Sequence, residues 1–312
     1  MDVSDALTTT IVGLGKIGFS YDLAPSGSLC ADQIMTHVRA VSQNPNTEVT
    51  YLVDSNIEAL SKAKLIFGGS SFTSISDLLK NSATDILIIS TPTTFHLQNL
   101  AEILEIWSPK MIILEKPCGS NSNEAWAMVD KTRVLGSVVF VNYFRRYLPN
   151  FTQAHNFLHL ADPGILKKVT IYGYGSLLNI FSHFLDIVIF FAGTSALTLG
   201  EKYIEFENSG HLTCVDLESK VTYSFLGIGK GQRDCELLIE FENLTVFVGL
   251  NGRTIRIMDE NNLEIRRFDS SNLDYLNYQA WALDGMLRDF KKHGTSLGLA
   301  DAIHVHKFIE TI

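Results

Sequence analysis

The hydrophobic and polar positions of this 312-residue chain fall into two regimes. Up to about residue 145, short β-branched or apolar runs alternate with stretches of helical spacing. The runs at 8–12, 48–54, 85–90, 111–115 and 137–142, and a shorter one at 71–73, are rich in aliphatic and β-branched residues and end at turn residues. Such runs predict parallel strands covered on both faces. Between them, apolar residues recur at three- and four-residue spacing. Ile34, Val38 and Val41 lead one such stretch, which stops before Pro45, and others cover Ile57–Phe67, 76–80, 95–106 and 122–133. These predict helices. The alternation predicts an open, doubly wound parallel sheet with right-handed crossovers.

The second regime predicts a helix at 150–160, a strand at 165–174 and an apolar helix at 181–191. From 196 to 268 the chain favours strands and turns. Strands are expected at 213–218, 220–225, 236–242, 244–250 and 254–259, with hairpin turns at Glu242-Asn243 and Asn251-Gly252. Helices at 279–293 and 301–312 complete the pattern. Strands joined by short turns predict a mostly antiparallel sheet.

Gly13-Leu14-Gly15-Lys16-Ile17-Gly18 follows the first strand directly. In a G-x-G-x-x-G turn the first glycine allows the tight turn, the second lets the backbone approach a pyrophosphate, and the third lets helix and strand pack closely. Such a turn alone is a weak signal. Asp54 ends the second strand, where an acid hydrogen-bonds the adenosine ribose; it also stands where a helix N-cap for Ile57–Phe67 would. No arginine follows it, which favours NAD, with NADP as the alternative cofactor. Asp54 lies farther from the glycines than the usual spacing of about 20 residues. An insertion over 19–33, broken by Pro25 and Gly27, accounts for the excess. It is expected to hang over the cofactor or substrate, with Tyr21 and Asp22 as its residues of interest. The glycine turn, Asp54, Thr91-Pro92 and Glu115-Lys116-Pro117 all fall at carboxyl ends of predicted strands, where ligands bind in such sheets.

Composition narrows the class. The chain is 46% hydrophobic and 19% charged, which suits a folded globular enzyme. Its net charge of −9 disfavours nucleic acid and anionic membrane surfaces. No apolar stretch is long enough to span a bilayer, and the first residues show no secretory signal, so a cytoplasmic protein is expected. Cys30, Cys118, Cys214 and Cys235 form no C-x-x-C, and the histidines show no ligand spacing, so no metal is expected. Cys118 reads as a small buried residue.

The order of these features resembles the glucose–fructose oxidoreductase, inositol dehydrogenase and MocA (Gfo/Idh/MocA) family of nicotinamide-dependent oxidoreductases. The resemblance rests on the glycine turn, Asp54, Ser90-Thr91-Pro92-Thr93-Thr94-Phe95-His96, Glu115-Lys116-Pro117, Arg145-Arg146 and Ser182-His183-Phe184-Leu185-Asp186. It implies an N-terminal Rossmann doubly wound parallel sheet over 1–120, with 121–145 and the C-terminal helix as elements that pack on it. It implies an α+β substrate and oligomerisation domain with a mostly antiparallel sheet over 146–312. Expected at the cofactor are Gly13, Gly15, Lys16, Ile17, Gly18, Asp54, Thr91, Pro92, His96, Glu115 and Lys116. His96 has a second role open to it, in the first turn of its helix.

The family oxidises a sugar or polyol hydroxyl, or reduces the carbonyl. Hydride leaves or joins a carbinol carbon while a base or acid handles the hydroxyl proton. By resemblance Lys116 lies beside the nicotinamide and the reacting oxygen, and a cis Pro117 would fix its direction. The family's Asp-x-x-x-His falls on Asn179 and His183, four residues apart and so on one helical face. Asn179 orients a hydroxyl or the imidazole but accepts no proton. Lys116 and His183 are therefore the catalytic pair. Lys116, Tyr143, Arg145, Tyr174, Asn179 and His183 are the expected substrate contacts. For the two tyrosines core packing is the competing role, and for Arg145 an ion pair. Asp186 has two partners open to it: the His183 imidazole or a salt bridge. The expected function is an NAD(P)-dependent oxidoreductase acting on a sugar, a sugar derivative or a cyclic polyol, as a homodimer or homotetramer. The competing function is a non-catalytic or regulatory dinucleotide-binding protein that kept the fold, which the Asn179 replacement favours.

Overall fold

The computed structural model describes residues 6–78, 83–207, 210–228, 234–293 and 298–312. The chain forms two compact units. One comprises Met1–Phe144 and Leu276–Ala300, the other Arg145–Tyr275 and Asp301–Ile312.

The first unit is built on a six-stranded sheet. Its strands are β1 (Leu7–Val12), β2 (Thr47–Val53), β3 (Ser70–Phe72), β4 (Ile86–Ile89), β5 (Met111–Leu114) and β6 (Val138–Val141), in the order β3-β2-β1-β4-β5-β6. Every pairing is parallel. All positions of β4, β5 and β6 are buried, which is why these strands are apolar throughout rather than alternating. Helices α1 (His37–Gln43), α2 (Ile57–Phe67), α3 (His96–Leu104) and α4 (Ser122–Leu135) are the crossovers. The order reverses between β1 and β4, so the crevice at their carboxyl ends is the switch point of the sheet. In place of a helix at 76–80 there is a single 3-10 turn, Ile75–Asp77, closed by Asp77 bonding back to Ser74. Residues 79 and 80 lie outside the described ones.

The insertion takes a course the spacing did not reveal. The helix after the glycines starts, with Phe19 N donating to Gly15 O at 2.9 Å. The chain then leaves it at the 3-10 turn Ser20–Asp22 and returns at Thr36. His37 N and Val38 N donate to the carbonyls of Ile17 and Gly18 at 3.0 and 3.1 Å. One helical axis is thus spliced from two segments. Asp22, fully buried, pins the return point: its carboxylate accepts from Met35 N (2.8 Å), Thr36 N (3.0 Å) and Thr36 Oγ1 (2.6 Å). Arg39 ties the loop from the other side, donating to Cys30 O and Ala31 O. Gly27 lies against the Lys62 side chain of α2. Neither Tyr21 nor Asp22 is among the residues lining the cleft over the carboxyl ends of β1, β2 and β4, and Asp22 is a structural pin.

The second unit contains α5 (Pro149–Ala161), β7 (Leu166–Gly175), a π turn (Leu177–Phe181) that runs into α6 (Ser182–Ala192), and the strands β8 (Lys202–Glu207), β9 (His211–Asp216), β10 (Thr222–Ile228), β11 (Glu236–Phe241), β12 (Thr245–Gly249), β13 (Thr254–Met258) and β14 (Glu264–Asp269). The strand order is β14-β13-β12-β11-β7-β10-β9-β8. All pairs are antiparallel except β7–β10. Alternate residues of β9, β11 and β13 are buried, so one face of the sheet is covered and the other part-exposed. α6 supplies much of the cover with Phe184, Leu185, Ile187 and Val188, each at most 2% exposed. The edge strands β8 and β14 lack a buried alternate face and were absent from the sequence pattern for that reason. Among the described residues no helix is long and apolar enough to cross a membrane.

Candidate active site

In the first unit a cleft of about 460 Å³ opens over the carboxyl ends of β1, β2 and β4. Gly13, Gly15, Asp54, Thr91 and Pro92 are among the residues that line it. The three glycines are required for different reasons. Gly13 has φ +96°, and a Cβ there would sit 2.7 Å from Ser90 C and Thr91 N. A Cβ on Gly18 would lie 2.1 Å from Gly13 O, so this residue holds helix and strand together. At Gly15 a Cβ would meet nothing within 4 Å. Gly15 therefore presents bare backbone to open space, a cradle that a side chain would fill. The turn is stiffened by Gly13 N donating to Val53 O (2.8 Å) and Ser90 Oγ donating to Gly13 O (2.7 Å).

Asp54 is not the N-cap of α2. Asn56 is, accepting from Glu58 N and Ala59 N at 3.0 and 3.1 Å. Asp54 instead links the second strand to the glycine turn, accepting from Leu14 N at 2.5 Å and Asn56 N at 2.7 Å, one bond per oxygen. Each carboxylate oxygen keeps acceptor capacity for a ribose hydroxyl. Ser55, Thr73, Ser74, Asn99 and Glu102 also line the cleft and escaped the motif reading, and so does Phe95, which the Thr-Pro motif contains without being assigned a role. Phe95, 49% exposed immediately before α3, is the sort of exposed aromatic that marks a binding wall.

Several expected cofactor residues lie elsewhere. Lys16 and Ile17 do not line the cleft; their carbonyls carry the spliced helix, from Tyr21 N and His37 N. His96 is fully buried, with Nε2 2.8 Å from Thr91 O and Nδ1 3.1 Å from Cys118 O. It staples the Thr-Pro loop to the segment after Glu-Lys-Pro, and both ring nitrogens are engaged, so it is corrected to a scaffold residue. Glu115 and Lys116 lie outside this cleft's lining, at the end of β5, and the Lys116–Pro117 peptide bond is cis. Lys116 is half-buried. Burial pushes the Glu115 carboxyl up, but hydrogen bonds from His37 and Asn142 and the nearby Lys116 charge outweigh it, so the group lies below the usual glutamate range. Burial pushes the Cys118 thiol up to about 12, as suits an inert interior residue. Tyr143, 2% exposed, is a core residue of this unit.

The second unit holds the remaining candidates. Asn179 is exposed on the π turn, its N–H capped by Ser176 Oγ at 3.2 Å. His183 is half-buried in the first turn of α6. The wider π turn, rather than a regular α-helix, therefore sets the relation of Asn179 to His183; single π turns are frequent at functional sites. Tyr174 is half-buried at the end of β7. Arg145 is buried, with Nε donating to Asn251 O at 3.3 Å and its guanidinium 5.3 Å from the Phe184 ring centroid. Burial draws its pKa down. It braces the Asn251-Gly252 turn. Asp186 resolves to the salt bridge and not to the imidazole: it takes Arg146 at 2.7 Å and 2.6 Å, and Arg146 Nη1 also reaches Asp301 Oδ2 at 2.6 Å. Burial pushes the Asp186 carboxyl up to about 6 despite the pull of Arg146. Among the described residues no group of His, Cys, Asp and Glu could hold a metal ion.

A family model described as an oxidoreductase family with an NAD-binding Rossmann fold matches residues 7–143. The rhizopine catabolism protein MocA of Rhizobium meliloti is 26% identical over 137 residues, 44% of this chain; the match spans only 42% of that protein's length. Among solved structures, KijD10, a 3-ketoreductase from Actinomadura kijaniata in complex with NADP, superposes with a TM-score of 0.73 at 13% identity, covering 99% of this chain and 97% of that one. The WlbA dehydrogenase from Bordetella pertussis, in complex with NADH and UDP-GlcNAcA, superposes with a TM-score of 0.70 at 18% identity, covering 96% and 93%. At these identities the two structures share the fold with this chain. Residues 7–143, with their glycine turn, strand-end acid and Glu-Lys-Pro, match the model of an oxidoreductase family with an NAD-binding Rossmann fold.

Proposed function

We propose that the protein is an NAD-dependent oxidoreductase that moves hydride between the nicotinamide and a carbinol or carbonyl carbon of a sugar, a sugar derivative or a cyclic polyol. The observation that carries this is the bare Gly15 backbone beside Asp54 at the switch point of a parallel sheet, on the same strand-end edge as Glu115-Lys116-Pro117. The residues fit the cofactor. Gly13 and Gly15 would face the pyrophosphate, Asp54 the adenosine ribose, and Thr91 and Pro92 the cleft wall. The carboxylate at Asp54 repels a 2′-phosphate, which favours NAD over NADP. NAD, when bound, supplies the hydride acceptor and, when reduced, the donor.

The chain's own residues handle the proton. Lys116 Nζ hydrogen-bonds the reacting oxygen and stabilises negative charge that develops on it. The His183 imidazole takes the proton in oxidation and returns it in reduction. Asn179, an amide where relatives of this family carry an acid, orients a hydroxyl without titrating. Tyr174 is a wall of the substrate pocket. The substrate is small, and the protein works in the cytoplasm, in keeping with four free cysteines. The part-exposed face of the eight-stranded sheet, with Tyr203 at 54% exposure on its β8 edge, carries a second copy of the chain in a homodimer or homotetramer.

The test is an NAD and NADH binding titration followed by turnover across sugars, polyols and nucleotide sugars, with Lys116→Ala and His183→Ala as controls. Turnover abolished by Lys116→Ala supports the mechanism. Turnover that survives Lys116→Ala refutes it. Tight NAD binding with no turnover on any substrate replaces it with a dinucleotide-binding protein that does no chemistry.

A further inference from the structure

Behind Lys116 lies a buried polar cluster that proton handling does not use. His37 is the first residue of α1, Glu115 precedes Lys116, Asn142 follows β6, and Gln279 stands in the first turn of the helix Tyr278–His293. Their exposures are 3%, 8%, 2% and 2%. Glu115 Oε1 lies 2.8 Å from His37 Nε2 and accepts from Asn142 Nδ2 at 2.6 Å. Glu115 Oε2 accepts from the backbone N–H of Lys116 at 3.2 Å. Gln279 closes the ring, with Nε2 at 2.7 Å from His37 Nδ1 and 3.0 Å from His37 Nε2, and Oε1 accepting from Asn142 Nδ2 at 3.2 Å.

The carboxylate fixes the polarity of this ring. Asn142 must turn its amide nitrogen toward Glu115, and that nitrogen's second hydrogen needs the Gln279 carbonyl. The Gln279 amide nitrogen then faces the His37 ring, within reach of both its nitrogens. Because an ionised carboxylate only accepts, the proton between His37 and Glu115 belongs to His37 Nε2, which donates it. Two buried donors converge on one carboxylate oxygen, and the other oxygen holds the lysine's backbone. His37 stands there because Asp22 pins Met35 and Thr36 at the end of the insertion. The splice of α1 and the seat of Glu115 are thus one arrangement.

We propose that His37 is a positioning residue for Lys116: by fixing the Glu115 carboxylate it anchors the Lys116 backbone and keeps a negative charge on the residue next to the lysine. The catalytic meaning of this rests on Lys116 serving the reaction; the positioning itself does not.

The experiment measures lysine reactivity in the nucleotide-free full-length protein. Limited acetylation with acetic anhydride is read by peptide mass spectrometry as the ratio of Lys116 to exposed Lys64, in wild type, His37→Phe and His37→Gln. A carboxylate no longer held on the residue next to Lys116 stabilises the lysine's charge less, so His37→Phe raises the ratio by about threefold or more. His37→Gln, which keeps a donor for Glu115, returns it to within about twofold of wild type. If His37→Phe does not fold, Gln279→Leu, which removes the donor behind His37, is expected to raise the ratio in the same direction. An unchanged or lower ratio in the folded variant, or no recovery in His37→Gln, overturns the proposal. Where a substrate is turned over, His37→Phe lowers kcat and leaves KM for NAD unchanged, and a matching rise in KM counts against positioning. The labelling needs no substrate, so a wild type without turnover fails as an oxidoreductase while the His37 result stands separately.

Discussion

Replacing each of two glycines by alanine separates the cofactor role of the turn from its structural role. At Gly18 the added Cβ would sit 2.1 Å from Gly13 O, whereas even weak C–H···O contacts settle at about 3.3 Å or more. The obstacle cannot yield easily, because Gly13 is held by Val53 O at 2.8 Å and by Ser90 Oγ at 2.7 Å. Overpacking against fixed backbone costs about 3 kcal/mol. For a unit of this size that lowers the thermal midpoint by about 6–12 °C. At Gly15 the same methyl meets nothing within 4 Å and φ is not left-handed, so Gly15→Ala changes stability by less than about 1 kcal/mol, in the favourable direction. The methyl would instead stand where the pyrophosphate must approach, and should weaken NADH binding by about tenfold or more, or 1.4 kcal/mol. Thermal melts without nucleotide and NADH fluorescence titrations measure both. Gly15→Ala binding NADH like wild type would refute the placement of the pyrophosphate over this turn. Gly15→Ala melting as early as Gly18→Ala would refute the steric account.

Asp22→Ala leaves the buried N–H groups of Met35 and Thr36 without their acceptor and should cost about 3 kcal/mol in a chemical denaturation curve. NADH affinity of the folded variant should stay near wild type, because the insertion does not line the cleft; a large loss would restore the insertion to the site. Asp54→Asn removes the charge facing the ribose and should shift the NADH-to-NADPH affinity ratio toward NADPH by about tenfold, read in parallel titrations. Arg146→Met leaves Asp186 and Asp301 without their cation and should destabilise by about 3–5 kcal/mol at pH 8. The Asp186 carboxyl, already raised to about 6 in the folded protein against 3.8 unfolded, binds a proton more readily folded than unfolded, so its contribution to stability is greatest at low pH and is lost as pH rises through 6. The penalty of Arg146→Met should therefore be smaller at pH 5 than at pH 8, and equal penalties would show that the charge of Asp186 is not what the arginine offsets.

By itself the sequence determined the elements whose burial leaves a mark on residue type. The apolar runs of β4, β5 and β6 and the alternation along β9, β11 and β13 exist because those positions face a core, and they could be read without coordinates. The glycine turn was legible because backbone geometry admits only glycine at two of its positions. The edge strands β8 and β14 left no such mark, since pairing at an edge is made by backbone atoms that every residue shares. Only tertiary structure decided where polar side chains point. His96 turned from the cofactor to two backbone carbonyls, Asp54 left the helix cap to Asn56, and Asp186 took Arg146 rather than His183. The splice of α1 depends on Asp22 reaching residues 13 and 14 positions on, and the His37–Glu115 contact joins residues 78 positions apart. A hydrogen bond across such a distance is fixed by the path of the chain and the direction of side chains, and neither is written in the local spacing of hydrophobic residues.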